Sequence, residues 1–119
     1  MAKKASPKSY ARIELFRGVD EKWRWRMVCV QNGEILAVSE AYSKKDKCLR
    51  TATRVSEGKL RNTEVVPGKG KKAHWNLLAR NRTILCTSEV YSSVEAATET
   101  AEAVKNAGVM PLTEVDPHA

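Results

Sequence analysis

The chain has 119 residues, 42% of them hydrophobic, and a formal net charge of +7, which fits one domain built around one hydrophobic core. It contains no apolar run near the roughly 18 residues that a membrane-spanning helix needs, and no apolar stretch follows residues 1–4 to serve as a signal peptide. We therefore expect a cytoplasmic protein with no membrane segment.

The positive charge is concentrated in the first three quarters of the chain. Residues 1–88 hold 20 lysines and arginines against 8 acidic residues, whereas residues 89–119 hold 1 against 6. Net charge affects solubility and the attraction of charged partners, but it does not determine the fold. This asymmetry becomes evidence about function only once the fold places the basic residues.

Three cysteines, Cys29, Cys48 and Cys86, are widely separated, and no two of them form a Cys-x-x-Cys pair. An odd number at such spacings predicts neither a disulfide framework nor a zinc knuckle. A site that combined them with His74 and His118 would match no familiar pattern of metal ligands. We interpret the cysteines as small buried hydrophobic residues and expect no metal ion or cofactor.

A tandem duplication organises the sequence. Residues 32–43 return 49 positions later as residues 81–92, with seven of twelve identical. Residues 63–67 return 50 positions later as residues 113–117, so the duplication extends beyond the helices.

The duplication also sets the expected domain boundaries. We expect a single domain over residues 10–117, made of repeat one at about residues 10–62 and repeat two at about residues 63–117. Residues 1–9 are rich in lysine and serine, and we expect them to form a disordered basic arm.

Three strands are expected in repeat one before its helix. Residues 13–16 form a short β-rich run, and residues 23–30 alternate between two faces, with the tryptophans on one and the arginines on the other. The Asn32-Gly33 pair is typical of a two-residue hairpin, where it supplies positive φ. Residues 35–39 then form the returning strand.

Each repeat is expected to continue into one helix between a serine N-cap and a terminating glycine in the left-handed conformation. The expected spans are residues 44–57, between Ser43 and Gly58, and residues 93–107, between Ser92 and Gly108. Glu95, three residues after Ser92, completes a capping box.

The two helices have polar faces of opposite charge. Arg50 and Arg54 lie on the polar side of the first helix, and Glu95, Glu99 and Glu102 form a stripe on the second. Like charges at this spacing are mildly destabilising, so each stripe favours a neighbour of opposite charge. We predict helix–helix contacts between them, within one molecule or across a dimer.

Repeat two departs from repeat one in its strands. Residues 65–66 and 75–79 supply its first two strands, and the basic connection at residues 67–72 replaces a clean hairpin. Its Asn81-Arg82 turn lacks the glycine of the first copy.

The residues 23–26, 32–35, 39–43 and 88–93 together resemble the YegP-like tandem-repeat family over roughly residues 11–116. The resemblance implies an α+β fold of two tandem strand-strand-strand-helix repeats, which share an antiparallel sheet with two helices packed on it. It implies no activity, substrate or catalytic residue. Single-copy relatives suggest, by analogy, that the two halves imitate a dimer.

A Ser-Glu-x-Tyr motif occurs in both repeats, at residues 39–42 and 88–91. A serine beside a carboxylate can act as a nucleophile when a base activates it, but no histidine repeats with the motif. Because the motif lies where a strand turns into a helix, we favour a structural role with tyrosine packing and serine capping. We predict no catalytic residue.

Basic residues cluster at the start of the first helix, in the connection of repeat two and around its turn. The predicted anion-binding residues are Lys44, Lys45, Lys47, Lys69, Lys71, Lys72, Trp75, Arg80 and Arg82. The lysines and arginines can neutralise phosphates, and an exposed Trp75 or Trp23 can stack on an unpaired base. The alternative is a solvated basic surface with the tryptophans in the core.

Three functions remain after these observations. The first is a non-enzymatic binding module that contacts an anionic partner, either nucleic acid or an acidic protein, through a basic surface. The second is a protein interaction or homodimerisation module in which the basic surface is incidental. A small-molecule enzyme ranks third.

Overall fold

The computed structural model describes residues 10–116, and the same order of elements occurs twice. The elements are β1 (Ala11–Arg17), β2 (Trp23–Cys29), β3 (Ile35–Ser39), α1 (Lys45–Ser56), β4 (Asn62–Pro67), β5 (Ala73–Leu78), β6 (Ile84–Ser88), α2 (Val94–Asn106) and β7 (Leu112–Glu114). The predicted unit of three strands and a helix is confirmed in both repeats. The expected arm at residues 1–9 lies outside the described residues.

One seven-stranded sheet joins the two repeats in the order β4-β5-β6-β3-β2-β1-β7. The repeats meet where β3 pairs antiparallel with β6. The α+β fold is confirmed, but the sheet is mixed rather than antiparallel because β7 runs parallel to β1. β7 includes part of the second copy of residues 63–67, and it pairs with the edge of β1 that β2 does not occupy.

Both helices pack on one face of this sheet. The core cluster includes residues from the apolar sides of both helices, among them Val55 and Val104, together with Trp25 and Trp75 from the strands. Val28 and Leu78 are buried but lie outside that cluster, on the opposite face of the sheet. Neither helix has the length and apolar character needed to cross a membrane.

The turns between the second and third strands differ from the predicted two-residue hairpin. In repeat one, β2 ends at Cys29 and β3 begins at Ile35, because a bulge shifts the register of the ladder. Gly33 has the expected positive φ, +75°. In repeat two the equivalent residue is Arg82, which takes a φ of +68°.

Replacing Arg82 with glycine is expected to raise the free energy of unfolding by about 0.5–1 kcal/mol. The left-handed conformation costs a non-glycine residue about 1–2 kcal/mol, and the greater freedom of glycine in the unfolded chain cancels about 0.5–1 kcal/mol of that gain. Chemical denaturation measures the change. The control Arg82→Gln keeps the strained backbone and removes only the exposed ion pair with Glu64, so it should not stabilise the protein.

Three predictions about the starts of the helices are wrong. Lys44, not Ser43, occupies the N-cap of α1 and offers no side-chain cap, and Ser93, not Ser92, caps α2 by accepting a hydrogen bond from the Ala96 N–H at 3.0 Å. Each helix therefore begins one residue later than predicted, at Lys45 and at Val94. The capping box with Glu95 is wrong because Ala96 occupies the third helical position.

The two helices also end differently. Gly58 takes the expected left-handed conformation, with a φ of +84°, but Gly108 does not. The chain leaves α2 through Ala107 in an extended conformation, with a φ of −67° and a ψ of 145°. No left-handed residue is needed there because the guanidinium of Arg61 binds the carbonyls of Val104, Ala107 and Gly108.

Candidate functional site

The predicted stacking role of Trp75 is wrong. Its side chain is 0% exposed, because strand alternation places it on the helix side of β5. Trp25 has the same position in repeat one and is equally buried. Trp23 is half-buried, and the centroid of its ring lies 5.1 Å from the Nζ of Lys45.

The Ser-Glu-x-Tyr motifs hold strands together. Ser39 Oγ accepts a hydrogen bond from the backbone N–H of Trp25 at 2.9 Å and donates to the Glu40 carbonyl at 2.8 Å. Ser88 makes the same two contacts in repeat two. Neither serine caps a helix, so that part of the prediction is wrong, whereas the expected packing of both tyrosines against the core is confirmed.

The lysines at the start of α1 do not form one cluster. Lys45 Nζ lies 2.7 Å from an oxygen of Glu114 on β7. This contact offsets the unfavourable effect of a cation near the N-terminus of a helix. Lys44 and Lys47 are exposed.

The basic residues of repeat two are also dispersed. Lys69, Lys71 and Lys72 are exposed in the loop between β4 and β5. Lys71 lines a groove of about 350 Å³ at the start of α2, with Ser93, Val94 and Glu95. Arg82 forms an ion pair with Glu64 at 2.8 Å.

One groove does bring basic residues together, and we call it the arginine groove. It has a volume of about 380 Å³ and lies between α1 and the turn that joins β5 to β6. Its lining residues are Arg50, Thr51, Arg54, Leu60, Ala79, Arg80, Asn81 and Leu85. The groove therefore crosses the boundary between the repeats.

All three arginines of this groove are exposed. Within residues 10–116, none of Arg50, Arg54 and Arg80 forms an ion pair. Leu60 and Leu85 are buried beside them, whereas the exposed charges of the arginines interact with an anion through water and salt that screen them. The four-residue spacing of Arg50 and Arg54 is visible in the sequence, but their proximity to Arg80 is not.

The acidic stripe of α2 does not meet the arginines of α1 within one molecule. Glu95, Glu99 and Glu102 are exposed, and in the part of the chain that the structure describes no ion pair joins them to Arg50 or Arg54. The helices lie over different strands, α1 over β1 and β2 and α2 over β4 and β5. The predicted contact within the molecule is therefore not formed.

A second charged cluster lies on the sheet face opposite the helices, and sequence reasoning did not identify it. Glu14 is 8% exposed and accepts hydrogen bonds from Arg12 at 2.9 Å and Arg26 at 2.8 Å. Burial raises the pKa of Glu14, but the bonds from both guanidinium groups outweigh burial and hold it below its ordinary value. Within residues 10–116, both guanidinium groups of this cluster have a carboxylate partner, unlike those of the arginine groove, although two arginines and one glutamate leave a net charge of +1.

The cysteines are buried, as predicted. Burial raises the pKa of the Cys48 thiol to about 12 and raises that of Cys86 as well. Both thiols are thus protonated at neutral pH, whereas the thiolate is the reactive and metal-binding form. Among residues 10–116, no three His, Cys, Asp or Glu side chains lie together as a metal site would require.

Comparisons with known proteins agree with this fold. The chain is similar to the solution NMR structure of yegP from E. coli, a protein of unknown function, with a TM-score of 0.76 and 22% identity over 95% of this chain and 98% of that one. A UPF0339 protein from Shewanella oneidensis is similar with a TM-score of 0.74 and 22% identity, over 90% and 92% of the two chains. At this identity the likeness shows the fold alone. No curated protein matches the sequence.

The sequence pattern of one family matches the chain twice, at residues 19–58 and 69–110. Each match covers the second and third strands and the helix of one repeat. Since the two matches together span more than half of the chain, the protein belongs to the family described as "Domain of unknown function (DUF1508)".

Proposed function

We propose that the protein is a non-enzymatic, cytoplasmic binding module that contacts an anionic partner, nucleic acid or an acidic protein, through the arginine groove. The observation that supports this proposal is the convergence of Arg50, Arg54 and Arg80 on one groove, without an ion pair within residues 10–116. Because three cations line one groove, a bound anion would reduce their mutual repulsion.

The geometry of the groove suits phosphate or carboxylate groups. Arg50 and Arg54 lie one turn apart on α1, and Arg80 lies on the turn between β5 and β6. A guanidinium can donate two parallel hydrogen bonds to such a group. Thr51 and Asn81 add neutral polar groups at the same groove.

Titration of labelled single-stranded DNA, duplex DNA, RNA and a polyglutamate peptide with the full chain tests the proposal. Fluorescence anisotropy, measured across about 50–200 mM salt, should show saturable binding of at least one probe that weakens as salt rises. The probe that binds most tightly identifies the partner class. If no probe binds even at the lowest salt, the proposal is wrong.

The variant Arg50→Gln/Arg54→Gln/Arg80→Gln is expected to bind the preferred probe at least about tenfold more weakly. Each phosphate contact contributes about 0.9 to the slope of affinity against salt on duplex DNA, so three lost contacts should reduce that slope by about 2–3.

The matched control is Lys69→Gln/Lys71→Gln/Lys72→Gln, which removes the same charge from the exposed loop. A loss below about threefold is expected, because only long-range attraction changes. Equal losses in the two variants would mean that net charge, not the groove, drives binding.

Self-association is the alternative function, and the exposed acidic stripe of α2 supports it. Glu95, Glu99 and Glu102 of one copy can face the arginine groove of a second copy, since opposite charges across an interface favour association. Sedimentation of the unmodified chain separates the two functions. A dimeric mass that the groove variant converts to a monomer, without binding of any probe, would favour self-association.

A further inference from the structure

The strands β1 and β4 hold equivalent places in the two repeats, but only β1 has neighbours on both sides. β1 lies between β2 and β7, whereas β4 ends the sheet with β5 as its one partner within residues 10–116. Residues 63–65 of β4 and residues 113–115, which begin in β7, are the same tripeptide, Thr-Glu-Val. Thus the segment that covers β1 shares three residues with β4.

β7 binds β1 as a parallel strand through backbone hydrogen bonds. The Ile13 N–H donates to the Pro111 carbonyl at 2.7 Å, and the Val115 N–H donates to the Leu15 carbonyl at 2.8 Å. The backbone N–H and C=O groups of Ile13 and Leu15 therefore point away from β2 and towards β7. This contact leaves Leu15 only 2% exposed.

On β4 the equivalent backbone N–H and C=O groups, those of Thr63 and Val65, point away from β5. Thr63 pairs with Leu77 and Val65 pairs with Trp75, in the register of Ile13 with Met27 and Leu15 with Trp25. Their outward N–H and C=O groups have no strand partner within the described residues. Val65 is also only partly buried, although it packs against the core as Leu15 does.

A lysine lies beside the N-terminus of each helix. In repeat one, Lys45, the first residue of α1, binds Glu114 of β7. In repeat two the first residue of α2 is Val94, and Lys71 lines the groove of about 350 Å³ beside it. Lys71 forms no ion pair within residues 10–116. A carboxylate on an added strand would complement Lys71 if it lay nearer to that lysine than to Glu95, which lines the same groove.

We infer that the free edge of β4 binds an extended peptide of a partner protein as an eighth, parallel strand. Backbone bonds to Thr63 and Val65 supply the affinity, as in other cases of strand addition to a sheet edge. The peptide carries an aliphatic residue towards the core and, two residues later, a carboxylate towards Lys71. This surface is separate from the arginine groove, so the inference does not depend on the proposed function.

A peptide with the sequence of residues 110–116, Met-Pro-Leu-Thr-Glu-Val-Asp, is the probe. Titrated into the full chain, it should bind saturably and shift the amide NMR signals of Thr63 and Val65, while that of Ile13 stays in place. A Glu→Gln peptide should bind more weakly, because it cannot pair with Lys71. Shifts at Ile13 alone would mean that the peptide only displaces β7, which would overturn the inference.

The variant Thr63→Pro should weaken peptide binding at least about tenfold, because proline removes the outward N–H. The fold should tolerate the change, since that N–H makes no bond to β5 and proline is accepted on edge strands. Thr63→Val keeps the N–H and should bind normally. If Thr63→Pro fails to fold, hydrogen exchange of the Val65 amide in the unmodified chain, slowed by the peptide, gives the same information.

Salt and the groove variant separate this inference from the proposed function. Peptide binding should persist in Arg50→Gln/Arg54→Gln/Arg80→Gln and at about 200 mM salt, where phosphate-driven binding weakens. Equal binding by Thr63→Pro and the unmodified chain would refute the inference. So would a dimer that Thr63→Pro dissociates and that binds no peptide, because a second copy would then occupy the edge.

Discussion

Replacing Arg61 with alanine is expected to lower the free energy of unfolding by about 3–5 kcal/mol. The guanidinium of Arg61 binds the ends of both helices, and a hydrogen bond to a charged group contributes about 1.5–3 kcal/mol. At least one such contribution is lost at each helix. Equilibrium unfolding in urea, followed by circular dichroism, measures the change.

The geometry explains why this effect should be large. Arg61 Nε and Nη2 donate to the Val55 carbonyl of α1 at 3.0 and 2.9 Å. On the side of α2, Nη1 donates to Val104 at 3.1 Å and to Ala107 at 2.7 Å, and Nη2 donates to Gly108 at 3.0 Å. The last carbonyls of a helix have few partners within the helix and carry partial negative charge. The carbonyls of Val55 and Val104 each accept one further bond, from the Gly58 N–H at 3.0 Å and the Ala107 N–H at 3.3 Å. One cation therefore satisfies both helices.

Two further variants distinguish this role from a general effect of charge. Arg61→Lys keeps the charge but not the planar set of donors, so we expect an intermediate loss of stability. Lys59→Ala, at an exposed lysine nearby, should change stability by less than about 0.5 kcal/mol. A loss below about 1 kcal/mol in Arg61→Ala would show that other groups hold the helix ends.

Replacing Ser39 or Ser88 with alanine is expected to cost about 1–3 kcal/mol for each substitution. The hydroxyl of Ser39 accepts a hydrogen bond from the backbone N–H of Trp25, and that of Ser88 from the backbone N–H of Trp75, both at 2.9 Å. A buried donor left without an acceptor costs about 1–3 kcal/mol. The two serines lie on paired strands, with Ser39 opposite Cys86 and Ser88 opposite Ala37, so the double variant measures whether the two losses couple. Thermal unfolding and urea unfolding together measure them.

Ser43→Ala is the matched control, because Ser43 is an exposed serine just before α1 and caps no helix. It should change stability by less than about 0.5 kcal/mol. The structural role of Ser39 and Ser88 would be contradicted by a double variant that keeps full stability. A double variant that stays folded but loses an activity would instead point to chemistry at these serines.

Much of the fold could be predicted from the sequence, because the relevant signals are local. The repeat spacing, the alternation in residues 23–30 and the glycine at position 33 indicate strands, turns and helices through backbone preferences that act over a few residues. The predicted helix of residues 44–57 differs from the observed Lys45–Ser56 by one residue at each end. The helix caps were less predictable, since consecutive serines such as Ser92 and Ser93 compete for one position.

The candidate site was predictable only in part. The sequence identified Arg50, Arg54 and Arg80 separately, as residues for two different kinds of contact. It did not indicate that they line one groove, because Arg80 approaches α1 only after the two repeats pair through β3 and β6. Conversely, the buried position of Trp75 removes it from the basic surface.

The amino-acid pattern is enough to show that the protein is a duplication, which faces of its strands and helices are apolar, and where its charges lie along the chain. The tertiary structure alone decided that β7 covers β1 in parallel and leaves β4 at the edge, and that Arg61 joins two helix ends. Both contacts end on backbone groups that lie far from their partners in the chain, in one case another strand and in the other a guanidinium. Every residue carries the same backbone groups, so no pattern of side chains marks which ones will meet.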